Sequence, residues 1–142
     1  MKRVIAFIMA AVCIFAFVGC KKNEKKAVCE NYEIGPDRFP SLEFVLGERE
    51  LKDCKTDKDG TMHYTYKTDE AGYMDIYEYM TYLIDNCGGV VTSALNEGEE
   101  GRCELAMESD ESGYAVTVGF DYKSDEYSLT IKRIAGKIQK SE

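Results

Sequence analysis

The fold is decided first by residues 72–89, which read GYMDIYEYMTYLIDNCGG. Apolar side chains recur here at steps of three and four, and the set comprises Tyr73, Ile76, Tyr77, Met80, Leu83, Ile84 and Cys87. This spacing places side chains on one stripe of an α-helix. The following Gly88-Gly89 pair suits the left-handed backbone that commonly ends a helix. The sequence therefore predicts a helix over residues 72–87 whose apolar stripe packs on a core.

Short alternating segments around this helix predict strands. Upstream, a poorly patterned strand is expected near residues 44–56, and residues 61–67 alternate cleanly after the Asp59-Gly60 turn signal. Residues 29–43, with Gly35-Pro36 and Pro40, are interpreted mainly as a loop. Downstream strand candidates are residues 90–95, 102–108, 114–122 and 127–131. The predicted class is α+β, in the order β-β-α-β-β-β-β, with one helix on an antiparallel sheet.

Length and charge exclude several classes of protein. The chain has 142 residues, 26 acidic and 18 basic side chains, and a formal net charge of −8. It is too short for a barrel enzyme of about 250 residues. An acidic chain is also a poor candidate for binding nucleic acid, because phosphates require a basic face.

The first twenty residues have the layout of an export signal. Lys2 and Arg3 form a short basic start, and residues 4–18 are uncharged and apolar. A secretory signal has this arrangement, with a small residue before the cleavage site. The apolar run is shorter than the ~20 residues that a membrane-spanning helix needs. We therefore expect cleavage and export.

The end of this signal, Phe17-Val18-Gly19-Cys20, resembles the lipobox of bacterial lipoproteins, although Phe17 replaces the commoner Leu. The resemblance implies that Cys20 is joined to diacylglycerol through a thioether, carries acyl chains such as palmitate and becomes the first mature residue. Two or more acyl chains give stable anchoring. The alternative is an ordinary cleaved signal in which Cys20 is incidental.

The resemblance divides the chain into a lipoprotein signal peptide (1–19), a lipidated Cys with a polar tether (20–28) and a single exported α+β domain (29–142). It implies a place in the bacterial cell envelope, outside the cytoplasm and anchored to the membrane by lipid. The mature part is also loosely similar to small uncharacterised bacterial lipoproteins, through residues 79–89, 113–120 and 127–131. That similarity implies a fold type and a location, and no activity.

Four cysteines remain for the exported domain. An even number in a small exported domain suggests disulfides, with three pairings open. Cys87 falls on the apolar stripe of the helix and Cys103 on the apolar face of a strand, which favours a Cys87–Cys103 bridge and leaves Cys29 with Cys54. The alternative is buried free thiols. No two cysteines have zinc-site spacing, so no metal is expected.

No catalytic constellation is found in the sequence, and an enzyme is not expected. His63, the one histidine, falls on the polar face of a strand and is interpreted as a solvated residue, with a Cys54–His63 pair as a weaker alternative. No nucleotide-binding or metalloprotease motif is present, and no cofactor is expected.

Two surfaces are candidates for binding a partner. Met74, Tyr79 and Tyr82 are assigned to the flank of the helix, and exposed Tyr and Met are typical of recognition surfaces. The alternative is that these tyrosines are partly buried. Glu97, Glu99 and Glu100 form an acidic connection.

The first functional hypothesis is a lipid-anchored binding or accessory module for a protein or envelope polymer. The alternative is an inhibitor or immunity-type protein that blocks an exported hydrolase with its acidic loop.

Overall fold

The computed structural model describes residues 30–68, 72–95 and 100–139. In chain order the elements are β1 (Asn31–Ile34), β2 (Asp37–Pro40), α1 (Leu42–Leu46), β3 (Glu50–Thr56), β4 (Met62–Lys67), α2 (Tyr73–Cys87), β5 (Val90–Ser93), β6 (Gly101–Glu108), β7 (Tyr114–Tyr122) and β8 (Glu126–Ala135). The α+β class is confirmed. The predicted order is wrong in detail, because the described residues contain a second helix and an additional hairpin.

One antiparallel sheet of six strands organises the molecule, in the order β3-β4-β8-β7-β6-β5. The last strand, β8, pairs with both β4 and β7 and so lies inside the sheet. Since β4 and β5 are far apart in this order, the connecting helix α2 crosses one face of the sheet. The other two strands, β1 and β2, form a separate two-stranded sheet.

The six-stranded sheet has a buried face and an open face. In β8, Tyr127, Leu129 and Ile131 are buried, while the intervening Ser128 and Thr130 are only partly covered. Their partners in β4 are Tyr66, Tyr64 and Met62, which lie on the same face. This alternation is typical of an antiparallel sheet with a core on one side and solvent on the other. The alternation predicted for residues 61–67 is confirmed.

Residues 31–40 form a hairpin, which corrects the predicted loop. Gly35 takes a φ of +59°, which permits the tight turn between β1 and β2. Tyr32, Ile34 and Phe39 point into the core. These residues alternate with exposed Glu33 and Arg38, and the Gly35-Pro36 pair, which predicts a loop, forms the turn of the hairpin.

A short helix, α1, replaces the start of the strand predicted near residues 44–56. The side chain of Ser41 accepts a hydrogen bond from the Phe44 backbone N–H at 3.1 Å, which caps the helix. Gly47 ends it with a φ of +89°. The strand itself begins at Glu50, so the local cap outweighs the strand preference of the apolar Phe44-Val45-Leu46 run.

Candidate functional site

The helix α2 is confirmed over Tyr73–Cys87, one residue from its predicted start, but it buries a different arc from the one predicted. Its buried residues are Ile76, Tyr79, Met80 and Leu83. Tyr79 is 0% exposed, so its assignment to a partner surface is wrong. The Tyr79 hydroxyl donates to the Pro40 carbonyl oxygen at 2.7 Å. The hairpin therefore covers the flank of α2 that was expected to be free.

The other two predicted surface residues differ from each other. Tyr82 is partly buried and packs against the core cluster, which agrees with the alternative that these tyrosines are partly buried. Met74 is 55% exposed and is the one fully surface-located member of the predicted set. The three residues do not form one surface.

The exposed apolar side chains of α2 lie on its opposite flank. Tyr77 is 51% exposed and Ile84 is 39% exposed, although the sequence placed both in the core stripe. Tyr73 stacks on Tyr77, with ring centroids 6.3 Å apart and an interplanar angle of 18°. We define the outer face of α2 as these three residues together with Met74 and the acidic residues Glu78 and Asp85.

The charge on the outer face is entirely acidic. Glu78 and Asp85 are exposed, and the sequence of α2 contains no Lys or Arg. Of the predicted acidic connection, Glu100 is described: it is exposed and directly precedes Gly101, the first residue of β6. Glu97 and Glu99 lie outside the described residues.

Aromatic contacts link the outer face to this connection. Tyr73 meets the Tyr122 ring edge to face at 6.5 Å. Tyr122 in turn lies against Gly101, where an added Cβ would come within 2.5 Å of the Tyr122 hydroxyl oxygen. A glycine is therefore needed for this approach. The adjacent Glu100 borders an open cavity together with Arg102 and Lys123.

A polar cluster fixes the N-terminal end of α2. The Arg49 guanidinium donates two hydrogen bonds to the Asp75 carboxylate, at 2.8 and 3.1 Å, and the Tyr127 hydroxyl donates a third at 2.8 Å. Burial opposes ionisation, but these donors keep the pKa of Asp75 below its ordinary value. Burial, followed by the bond to Asp75, raises the pKa of the Tyr127 hydroxyl. The cluster ties α2 to the preceding loop and to β8.

A second cluster, which no sequence pattern indicates, fixes the N-terminal hairpin. Asp37 is buried and accepts hydrogen bonds from the Ser109 hydroxyl and the Asp110 backbone N–H, both at 2.7 Å. Arg133 Nε lies 3.5 Å from Asp37 Oδ2, and the Arg133 guanidinium also pairs with Glu111. Its Cζ lies 3.8 Å from the centroid of the Tyr114 ring, a cation–π contact. These contacts tie the hairpin to the connection before β7 and to β8. The buried Arg133 Nε makes no hydrogen bond and contacts Asp37 only as an ion pair.

Half of the tyrosines belong to the buried core. Of the ten tyrosines, the buried ones are Tyr32, Tyr66, Tyr79, Tyr122 and Tyr127. The hydroxyls of Tyr32 and Tyr66 lie 3.3 Å apart, and burial raises the pKa of both. The Tyr66 ring stacks on that of Tyr127 at 5.5 Å. These contacts explain why a tyrosine count alone did not locate an interaction surface.

The predicted Cys87–Cys103 bridge is not formed, because both residues are free thiols. The Cys103 thiol instead contacts the Met80 sulfur at 3.5 Å. Met80 precedes Cys87 by seven residues, which is about 10 Å along a helix axis at 1.5 Å per residue. The sheet therefore places Cys103 under the middle of α2 rather than under its end.

Cys54 is disulfide-bonded. Since the other described cysteines are free thiols, its partner is not among the described residues. Cys29 lies outside the described residues, and its pairing with Cys54 stays a prediction.

His63 lies in a hydrogen-bonded row on the open face of the sheet. Its Nε2 is 2.7 Å from Asp57 Oδ2, and its Nδ1 is 3.4 Å from the Thr130 hydroxyl oxygen. Cys54 pairs with Tyr64 and lies on the other face, so the weaker Cys54–His63 alternative is wrong. A carboxylate, imidazole and hydroxyl in line resemble a nucleophilic relay, but catalysis also needs a concave site and oxyanion donors.

Neither His63 nor Thr130 lines the two open cavities of ≈ 330 and ≈ 600 Å³. The larger one is bordered by the exposed Arg102–Asp121 ion pair. Within the described ranges, no group of three or more His, Cys, Asp or Glu side chains is arranged to hold a metal ion.

The predicted signal and lipid attachment, residues 1–20 with Cys20, lie outside the described residues. In the part of the chain that the structure describes, no helix has the length and hydropathy required to cross a membrane. A search of family models, curated proteins and solved structures gives no match to this chain.

Proposed function

We propose that this protein is a lipid-anchored, extracytoplasmic binding or accessory module of the bacterial cell envelope. Its partner is a protein or an envelope polymer, and the outer face of α2 is its contact surface. The role requires no catalytic group, cofactor or metal ion.

The observation that carries this proposal is the exposure of Met74, Tyr77 and Ile84 on one side of a helix that packs on the core with its other side. Fully burying a large apolar side chain is worth about 1.5–3 kcal/mol, so covering these half-exposed side chains contributes a part of that amount for each one. Tyr and Met are also enriched at the centres of protein interfaces. A partner that covers this face supplies the missing burial.

The location part of the proposal is supported by the sequence Phe17-Val18-Gly19-Cys20, which resembles a lipobox. Cys20→Ala removes the thiol that would receive the lipid. We expect the wild-type chain to partition into the detergent phase of a cloud-point extraction, and the Cys20→Ala precursor to change its partition and processing. An unchanged partition would contradict lipidation.

Affinity capture from the host tests the binding part. The full lipidated chain is compared with a Tyr77→Ser, Ile84→Ser double variant and with a Phe44→Ser control. Phe44 is 55% exposed but lies on α1, so it matches the exposure without belonging to the proposed surface. We expect the double variant to lose the captured partner and the control to retain it. Equal capture by all three proteins would overturn the proposed surface.

The inhibitor or immunity-type alternative makes a different prediction in the same assay. If the acidic loop enters the cleft of an exported hydrolase, then charge reversal of Glu97, Glu99 and Glu100 abolishes capture, whereas the α2 double variant keeps it. The reverse result supports the outer face of α2.

A further inference from the structure

We propose that the partner presents a basic amphipathic helix to the outer face of α2, with a line of Lys or Arg beside a line of apolar side chains. This inference rests on the proposed function, because it names the chemistry of the partner at the same surface.

Two parallel lines on the outer face define this complementarity. Tyr77 and Ile84 are seven residues apart, and so are Glu78 and Asp85. Side chains seven apart lie nearly above each other on a helix, and adjacent residues are offset by about 100°. An apolar line and an acidic line therefore run side by side along α2. A helix with apolar and basic side chains repeating every ~7 residues matches both lines.

The acidic line has no cation to balance it within α2. The helix contains no Lys or Arg, and the nearby Arg49 is already engaged by Asp75. Opposite charges across an interface steer association and suppress wrong partners.

The same charges disfavour two other occupants. A second copy of this chain packed through α2 would place Glu78 and Asp85 against identical acidic residues, and like charges in contact are destabilising. An anionic membrane surface attracts basic segments, whereas this face is acidic. The charge pattern therefore favours a cationic protein segment.

The test uses synthetic peptides as probes, because the natural partner is unidentified. The full lipidated chain is held in nanodiscs of zwitterionic lipid and titrated with a labelled helical peptide of Leu and Lys in heptad order. A peptide with Glu in place of Lys and one with the Leu/Lys order scrambled are the controls. We expect the ordered Leu/Lys peptide to bind at least about tenfold more tightly than either control.

Substitutions in α2 test whether the peptide binds to the apolar line and to the acidic line. Tyr77→Ser is expected to weaken binding about tenfold or more, as loss of an interface aromatic commonly does. The Glu78→Lys, Asp85→Lys double variant is expected to weaken it by a similar factor and to reduce its dependence on salt. Asp53→Lys, on exposed β3, is the matched control and should leave binding unchanged. Circular dichroism confirms that each variant is folded.

The outcomes separate the inference from the proposed function. Equal binding of the Lys and Glu peptides, or no effect of the charge-reversal variant, would overturn the basic partner. So would self-association, measured by sedimentation, that Tyr77→Ser abolishes. If Tyr77→Ser, Ile84→Ser lost the host partner in the capture assay while Glu78→Lys, Asp85→Lys retained it, the proposed function would stand and this inference would fail.

Discussion

At the scale of single residues, Asp75 joins three parts of the molecule. Its carboxylate accepts hydrogen bonds from Arg49, which follows α1, and from Tyr127 in β8. Hydrogen bonds to a charged group contribute about 1.5–3 kcal/mol each when they are well formed. Asp75 thus ties the start of α2 to the loop after α1 and to β8.

Asp75→Asn is expected to lower the free energy of unfolding by about 1–3 kcal/mol near neutral pH, because the charged Arg49 then faces a neutral amide in place of a carboxylate. The pKa of Asp75 is lowered in the folded state, so its stabilisation is present above the unfolded-state pKa, near ~3.9, and is lost as pH falls through the folded value. Urea unfolding at several pH values measures this. The difference between wild type and variant should shrink below about pH 4.

Asp85→Asn on the same helix is the control for this experiment, since Asp85 is exposed. Its expected effect on stability is about 0.5 kcal/mol or less at each pH. A wild-type to Asp75→Asn difference that stayed constant from neutral to acid pH would contradict the account of the cluster.

The thiols of Cys87 and Cys103 provide a second residue-scale prediction. Burial, followed by the charge of Asp121, raises the pKa of Cys103 to about 11, and burial also raises the pKa of Cys87. Because the thiolate is the reactive form, we expect slow alkylation of both residues in the folded protein at about pH 8. Unfolding without reductant should make both react fully. A non-reduced peptide map that joined Cys87 to Cys103 would contradict their free state.

At the scale of elements, the N-terminal hairpin determines which flank of α2 is covered. It is held to the sheet by Arg133, which pairs with Asp37 and Glu111 and lies over the Tyr114 ring. The Tyr79 hydroxyl adds a bond to Pro40. The exposed flank of the helix is therefore the one that the hairpin does not reach.

Arg133→Ala is expected to lower the free energy of unfolding by about 3 kcal/mol, because it leaves the buried Asp37 carboxylate without its cation. Arg102→Ala is the matched control, since the Arg102 side chain is 82% exposed in its pair with Asp121 and such pairs contribute about 0–1 kcal/mol. Chemical unfolding compares the two, and limited proteolysis near Gly35-Pro36 reports on the hairpin. Equal destabilisation by both substitutions would contradict the anchoring role.

Sequence periodicity predicted the elements with strong patterns and missed the weaker ones. The helix α2 and strands β4, β6 and β7 were predicted to within about a residue at each end, because each carries a clear repeat. The four-residue strands β1 and β2 and the five-residue α1 are too short for their patterns to be told from a loop. Their formation depends on the turn at Gly35 and the cap at Ser41, which are local signals of hairpin and helix.

The candidate site was harder to predict than the fold. Apolar residues cover two flanks of α2, with Tyr73, Tyr77 and Ile84 on one and Tyr79 and Tyr82 on the other. Helical periodicity alone does not decide which flank faces solvent, because that depends on the elements packed beside the helix. Because the sequence pattern does not predict the hairpin, periodicity alone assigns the exposed flank to the wrong side.

At the scale of the whole molecule, the residues that bury the core differ from those of the proposed partner surface. The sheet, the hairpin and one side of α2 bury the core, while Tyr77 and Ile84 remain exposed on the other side of the helix. The lipid proposed at Cys20 would hold this domain at a membrane surface. The central claim is that the outer face of α2 is where the domain meets its partner.

Photo-crosslinking in host membranes tests that claim most directly. Benzoylphenylalanine is introduced in place of Tyr77 in one full-length chain and in place of Thr130, on the open face of the sheet, in another. We predict a specific crosslinked partner from position 77 and none from position 130. A partner crosslinked from position 130 and not from position 77 would contradict the account and assign binding to the open face of the sheet.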